Sequence, residues 1–205
     1  MRILRYNRST KGLTLVEMLV VLGIYSILLV AIGTGISAFY SFNAYTIAQA
    51  YQVYHARTGM QSVVRDIREM TYADDGTFPL EVMTASRVGF YSDIDRDASV
   101  EYVEYVLNGT VLNKYVYNAT GTTAVVYNTS TPDETYILSE YVQNEGQGIP
   151  MFTYYDGTGS LATASSTVTD IRYVQAEIIV NIDPIRDPGE FKLVSSAALR
   201  NLLEN

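Results

Sequence analysis

The sequence predicts an α+β chain in which one long N-terminal helix precedes an antiparallel β-sheet head. Three observations carry that expectation. From residue 18 to residue 56 there is no Asp, Glu, Lys or Arg, and sixteen of the twenty residues 13–32 are apolar. Apolar residues then recur at spacings of three and four as far as Met70, the period of a helix that buries one face. From residue 80 onward the composition turns to Tyr, Val, Thr, Gly and Asn, residues that favour strands and turns. No strand–helix–strand alternation calls for a parallel sheet, and no internal repeat is present.

The first element is a short basic leader, residues 1–12, with Arg2, Arg5, Arg8 and Lys11 and no acid. The whole chain has 14 basic and 22 acidic residues and a net charge of −8. Without the leader, ten basic residues remain, and the body stands near −12. The apolar run follows. About 20 apolar residues at about 1.5 Å each span a bilayer as a helix, so a single membrane segment is expected at about residues 13–40. A basic flank stays cytoplasmic, which sends the rest of the chain across the membrane. A cleaved secretory signal fits less well. Its apolar region is usually about 7–15 residues long, and a small-residue cleavage site should follow, where this chain has the bulky stretch of residues 37–45. Glu17 stands inside the apolar run, and a carboxylate there is costly enough to imply a function.

The helix is expected to continue to residue 75, giving three parts: leader 1–12, helix 13–75 and head 76–205. Gly33, Thr34 and Gly35 read equally as a soft point in it or as small residues for close helix packing. Ile47, Tyr51, Tyr54, Met60, Val63, Val64, Ile67 and Met70 form the face expected to pack on the head, with Arg57, Arg65, Asp66, Arg68 and Glu69 between them. Gly76 and Pro79 mark its end. In the head, Val174, Ala176, Ile178, Val180 and Ile182 alternate as the buried face of one strand, and Phe191, Leu193, Ala197 and Leu199 as that of another. Residues 87–91, 100–107, 111–117 and 136–142 are further strands, with Asn108-Gly109 as a hairpin turn. Residues 118–123, 128–134 and 156–167 read as loops.

Composition excludes several function classes. With no cysteine there is no disulfide framework, thiolate metal site or thiol nucleophile. His55 is the single histidine, too few for a histidine-based triad or metal cage, and it reads as a packing or solvated residue. The acidic balance argues against a nucleic-acid partner. No phosphate-binding glycine loop or nucleophile elbow occurs, so neither catalytic residues nor a cofactor are expected. Asp93, Asp95, Asp97, Ser99 and Glu104 hold calcium-loop spacing, but Ala98 replaces the turn-making glycine and the flanks read as strands. A solvated acidic turn, with no metal, is the expectation. The eighteen tyrosines are expected at half-buried cross-strand positions rather than in a ligand surface.

The stretch Lys11-Gly12-Leu13-Thr14-Leu15-Val16-Glu17-Met18-Leu19 resembles the class III signal of type IV prepilins and type II secretion pseudopilins. That resemblance implies cleavage between Gly12 and Leu13 by a prepilin peptidase, methylation of the new amino terminus on Leu13, and a helix retained in the membrane. Leu13 stands where the family more often has Phe, a substitution it tolerates. Glu17 falls at the fifth mature position, where the family pairs it with the amino terminus of an adjacent subunit, and other pilin or pseudopilin subunits become the expected partners along the N-terminal helix. Arg65-Asp66-Ile67-Arg68, Phe90-Tyr91-Ser92-Asp93, the strand 100–107, the segment 152–159 and Leu199-Arg200-Asn201 resemble J-type minor pseudopilins and W-type minor pilins. The resemblance implies a minor subunit of a pilus or secretion filament, with an exported adhesin or binding module as the alternative.

Overall fold

The computed structural model describes residues 12–97, 99–121, 124–163, 166–186 and 189–199. It is α+β: a long helix, α1 (Leu15–Arg68), followed by an antiparallel β head. Backbone packing divides the chain into two units, Met1–Thr46 and Ile47–Asn205.

Among the described residues of the first unit, α1 is the one element, and its apolar side chains from Leu15 to Phe42 are exposed on every side. It is the one helix among the described residues long and apolar enough to cross a membrane. A helix apolar all round needs lipid or other helices about it. Its hydroxyls are suited to that setting. Ser26 Oγ donates to the Leu22 carbonyl (2.8 Å) and Thr34 Oγ1 to that of Val30 (3.0 Å), and Ser41 and Thr46 bond back in the same way. These four hydroxyls are thus satisfied without water. The helix runs unbroken through Gly33-Thr34-Gly35.

In the second unit, the face of α1 turned to the sheets is Gln49, Ala56, Met60, Val63, Val64 and Ile67, all buried. Ile47, Tyr51 and Tyr54, expected on that face, are instead exposed. At 100° per residue they lie about half a turn from Ala56 and Met60. Both stripes keep a spacing of three and four, so periodicity alone did not tell core from surface. Gln49 takes the inner place because its amide reaches the end of a strand, donating to the Val180 carbonyl (3.2 Å) and accepting from Ile182 N–H (3.1 Å).

The helix ends at Arg68, short of the expected residue 75. Beyond it Met70 bridges to Ser92 and Thr71 N–H donates to the Tyr91 carbonyl (2.9 Å), so sheet pairing replaces the helical turn. Gly76 (φ 87°) and Pro79 punctuate the connection that follows.

The strands are β1 (Leu80–Met83), β2 (Arg87–Ser92), β3 (Glu101–Asn108), β4 (Val111–Tyr117), the short β5 (Ala119–Thr120) and β6 (Val126–Tyr127), then β7 (Glu134–Ser139), β8 (Phe152–Asp156), β9 (Ile171–Val180) and β10 (Phe191–Ala198). They form a five-stranded sheet ordered β1-β2-β3-β4-β7, a three-stranded sheet ordered β10-β9-β8, and the pair β5-β6. The six expected strands are present, β9 with the inward face foreseen. β1, β8, β5 and β6 were not foreseen: β1 has four residues, β8 five and the others two, too short to establish a period. The β3–β4 hairpin pairs Asn108 with Val111, so its turn is Gly109-Thr110, one residue later than expected. Gly109 alone takes positive φ (59°), the requirement of a II′ turn, which matches the twist of the flanking strands.

Register aims one polar cluster at the helix. Tyr105 on β3 faces Lys114 on β4, and both converge on Asp66 of α1. Asp66 Oδ2 accepts from Lys114 Nζ and from Tyr105 Oη, each at 2.6 Å, and Oδ1 accepts from Arg65 Nε at 3.0 Å. The Asp66 and Lys114 side chains are 1% and 8% exposed. Removing one partner of such a pair leaves a buried charge. Asp66→Asn is therefore expected to cost about 3–5 kcal/mol in denaturation of the detergent-solubilised chain. Lys114→Met should cost less, because Asp66 keeps Arg65 and Tyr105. Equal losses would contradict the central place given to Asp66.

Candidate processing and assembly site

The segment before the helix holds the residues singled out for processing. Gly12, Leu13 and Thr14 are not helical, and nothing lies within 4 Å of where a side chain on Gly12 would begin. Leu13 is 70% exposed. Among the described residues nothing pairs with the Gly12–Leu13 peptide bond, which stands two residues ahead of the first helical turn. The leader residues 1–11 lie outside the described residues.

Glu17 has a role within the chain that the sequence reading missed. Thr14 N–H donates to Glu17 Oε2 at 2.8 Å, Thr14 Oγ1 donates to the same oxygen at 3.0 Å, and Glu17 N–H donates back to Thr14 Oγ1 at 3.3 Å. This is a capping box, in which the first and fourth residues of a Thr-x-x-Glu start satisfy each other's backbone donors. The pattern Thr14-Leu15-Val16-Glu17 before an apolar run was the available signal. Met18 N–H closes the first turn on the Thr14 carbonyl (3.2 Å). At a membrane boundary, where water is scarce, each donor satisfied lowers the cost of the helix start. All the bonds from described residues go to Oε2 of Glu17 and leave Oε1 for another donor.

Residues 7–33 match the prokaryotic N-terminal methylation motif. The motif supports a type IV pilin-like protein. It covers 27 of the 205 residues, and no curated protein is similar enough to the chain to count as a match. Such a motif implies processing by a prepilin peptidase and assembly with other pilins in general. It also fits a membrane anchor formed by the apolar helix.

The acidic turn after β2 forms a second cluster. Its residues do not build the calcium loop that their spacing resembles. Asp93, Asp95 and Glu101 are the group brought together, with carboxylate oxygens within 4.8 Å of one another; Glu104 is not among them. Glu101 and Glu104 are an odd number apart on β3 and face opposite sides of the sheet. Glu104 pairs with Arg87 and accepts from Tyr102 Oη (2.7 Å), and Glu101 accepts from Ile94 N–H (2.9 Å). The aspartates hold the turn itself: Asp93 Oδ1 accepts from Arg96 N–H (2.7 Å), Asp95 Oδ1 from Asp97 N–H (3.1 Å) and Asp97 Oδ1 from Ser99 N–H (2.8 Å). Asp93, Asp95 and Glu101 are the described residues with the donor set for a cation. Ala98, where a calcium loop needs glycine, lies outside the described residues.

The tyrosines nearby are packed, not presented. Tyr91, Tyr102 and Tyr117 are buried, with ring centroids 5.1 Å apart for Tyr91 and Tyr102 and 5.7 Å for Tyr102 and Tyr117. His55 lies edge-on to Tyr51 at 4.3 Å, a packing contact.

Burial pushes the Glu101 carboxyl up to about 7, and the charges of Asp95, Asp97 and Asp93 add to the shift against the Ile94 N–H. A raised carboxyl favours the folded state while it is protonated. Its contribution is whole below the ordinary value of 4.5 and is lost as pH rises through about 7. The melting temperature of the Glu101→Gln variant should therefore fall less than that of the parent between about pH 5 and 8. Parallel pH profiles would contradict this.

Proposed function

We propose that the chain is a minor pilin or pseudopilin, a structural subunit of a type IV pilus or of a type II secretion-like filament. Residues 1–12 are its cytoplasmic leader. A prepilin peptidase cuts between Gly12 and Leu13 and methylates Leu13, and the helix from residue 13 to about residue 40 holds the protein in the membrane with the head outside. Glu17 then guides each subunit into register with its neighbour. The W-type or J-type likeness of the head belongs to the same reading, although Arg200 and Asn201 lie outside the described residues.

The observation that carries the proposal is the register of one glycine and one glutamate in an otherwise uncharged helix start. Gly12 precedes Leu13, and Glu17 is the sole charged residue from 12 to 56. Low dielectric magnifies any interaction between that carboxylate and a neighbouring ammonium group. The uncovered Ile47–Tyr51–Tyr54 stripe supplies a second apolar surface for adjacent helices to cover.

Variants of Glu17 separate the two roles of this residue. Glutamine can complete a capping box but carries no charge. Glu17→Gln should insert into the membrane and lose its leader normally, as should Glu17→Ala, yet both should fall to about a tenth of wild-type incorporation in sheared filaments, the loss matching about 1.4 kcal/mol. Thr14→Ala, which breaks the cap and keeps the charge, should retain more incorporation than either. Wild-type incorporation of Glu17→Gln would remove the charge from the account.

A further inference from the structure

A groove of about 740 Å³ runs between α1 and β10 within the head unit. Met60, Val64 and Leu193 make an apolar floor. Arg57, Arg65 and Arg68 line its helical wall, and steps of eight and three residues bring all three onto one face of the helix. Among the described residues no carboxylate forms an ion pair with Arg57 or Arg68. Arg57 lies over the Phe191 ring, 5.2 Å from its centroid, and Arg68 reaches the Ser196 carbonyl at 3.4 Å. Glu69, at the end of the groove, is drawn to Arg96 (3.5 Å). Cations held by neutral partners on a chain of net charge −8 form a local field opposite in sign to the rest of the protein.

The other wall is a sheet edge. β10 is the outer strand of its sheet. Leu199 N–H pairs inward with the Arg172 carbonyl (2.9 Å), while Glu177, opposite Val194, turns its N–H away to Met151 (2.8 Å). Antiparallel alternation then points the backbone groups of Val194 and Ser196 outward, the Ser196 carbonyl toward Arg68 and the rest toward solvent. Among the described residues no strand pairs with them, and an open edge beside an apolar floor is a template for a further strand.

The same chain carries a strand of complementary character. β7 is the outer strand of the five-stranded sheet, and residues 134–137 are exposed. Its surroundings, Asp133-Glu134-Thr135-Tyr136-Ile137-Leu138-Ser139-Glu140, hold three acids and no base. Tyr136 and Ile137 are 48% and 63% exposed, apolar surface suited to the groove floor. We infer that the β10 edge and its arginine wall receive β7 of a second copy of this chain. β10 of one copy pairs with β7 of the next, and the acids flanking β7 meet Arg57 and Arg68. The two surfaces differ, so the contact is head-to-tail and can repeat along a row. The inference takes its setting from the assembly reading but is tested without any filament.

The chain has no cysteine, which makes cross-linking clean. Val194→Cys and Thr135→Cys proteins, each full length in detergent micelles, are mixed and treated with a short bis-maleimide. The mixed product should exceed either homodimer by about tenfold, a margin of about 1.4 kcal/mol. A synthetic peptide of residues 133–140 should suppress it, and the same peptide with lysine for each acid should not. Arg57→Glu with Arg68→Glu in the Val194→Cys chain should abolish the product, and Glu134→Arg with Glu140→Arg in the Thr135→Cys chain should restore it, a rescue that misfolding would not give. Equal mixed and homodimeric yields, or a product indifferent to the peptide and to charge reversal, would overturn the pairing. Such a failure leaves the assembly reading to the Glu17 variants, which test it separately.

Discussion

The head is organised around one buried carboxylate. Asp66 receives Lys114 and Tyr105 from two adjacent strands and Arg65 from its own helix, so a single side chain ties α1 to the five-stranded sheet. A carboxylate removed from water is tolerated only when its oxygens are filled, and here register fills them. Tyr105 and Lys114 stand opposite each other across β3 and β4, and a shift of one residue in either strand would turn a partner to the other face. The hydrophobic contacts of Ala56, Met60, Val63 and Ile67 are non-directional. The polar cluster supplies the orientation they lack.

At the other end of the helix the constraint is also a carboxylate, in the opposite setting. The run after Glu17 has no charge as far as His55 and exposes apolar groups on all sides as far as Phe42. The hydroxyls of Ser26, Thr34, Ser41 and Thr46 are folded back onto carbonyls of the same helix, and its first turn is closed by Thr14 and Glu17. Among the described residues, all bonds to the Glu17 carboxylate go to one oxygen, Oε2, and leave the other for a further donor. The cost of a charge in such a place, about 2.5–3.5 kcal/mol, is the ground for the proposal that Glu17 meets a partner outside the chain. This is the physical content of the resemblance to prepilins.

The sequence made the large features legible and left the fine ones open. The apolar run, the strand alternation of β9 and β10 and the register of Gly12 with Glu17 are local patterns, and local patterns survive folding. The core face of the second half of α1 was misread because two stripes share one period, and only Gln49, with its reach to Val180 and Ile182, marks the inner one. The end of the helix was placed late because Met70 keeps helical spacing while pairing as a strand. The Asp66 cluster was not legible at all, since Tyr105 and Lys114 are 39 and 48 residues away in sequence. At the candidate site, the capping box was readable in Thr14-x-x-Glu17 and was passed over for the charge alone.

The most direct test of the account is the intact mass and N-terminal sequence of the protein recovered from cells with and without a prepilin peptidase. The account predicts a chain beginning at methylated Leu13 when the peptidase is present and the full leader when it is absent. A chain that keeps its leader in both, or one cut after the apolar run, would contradict it.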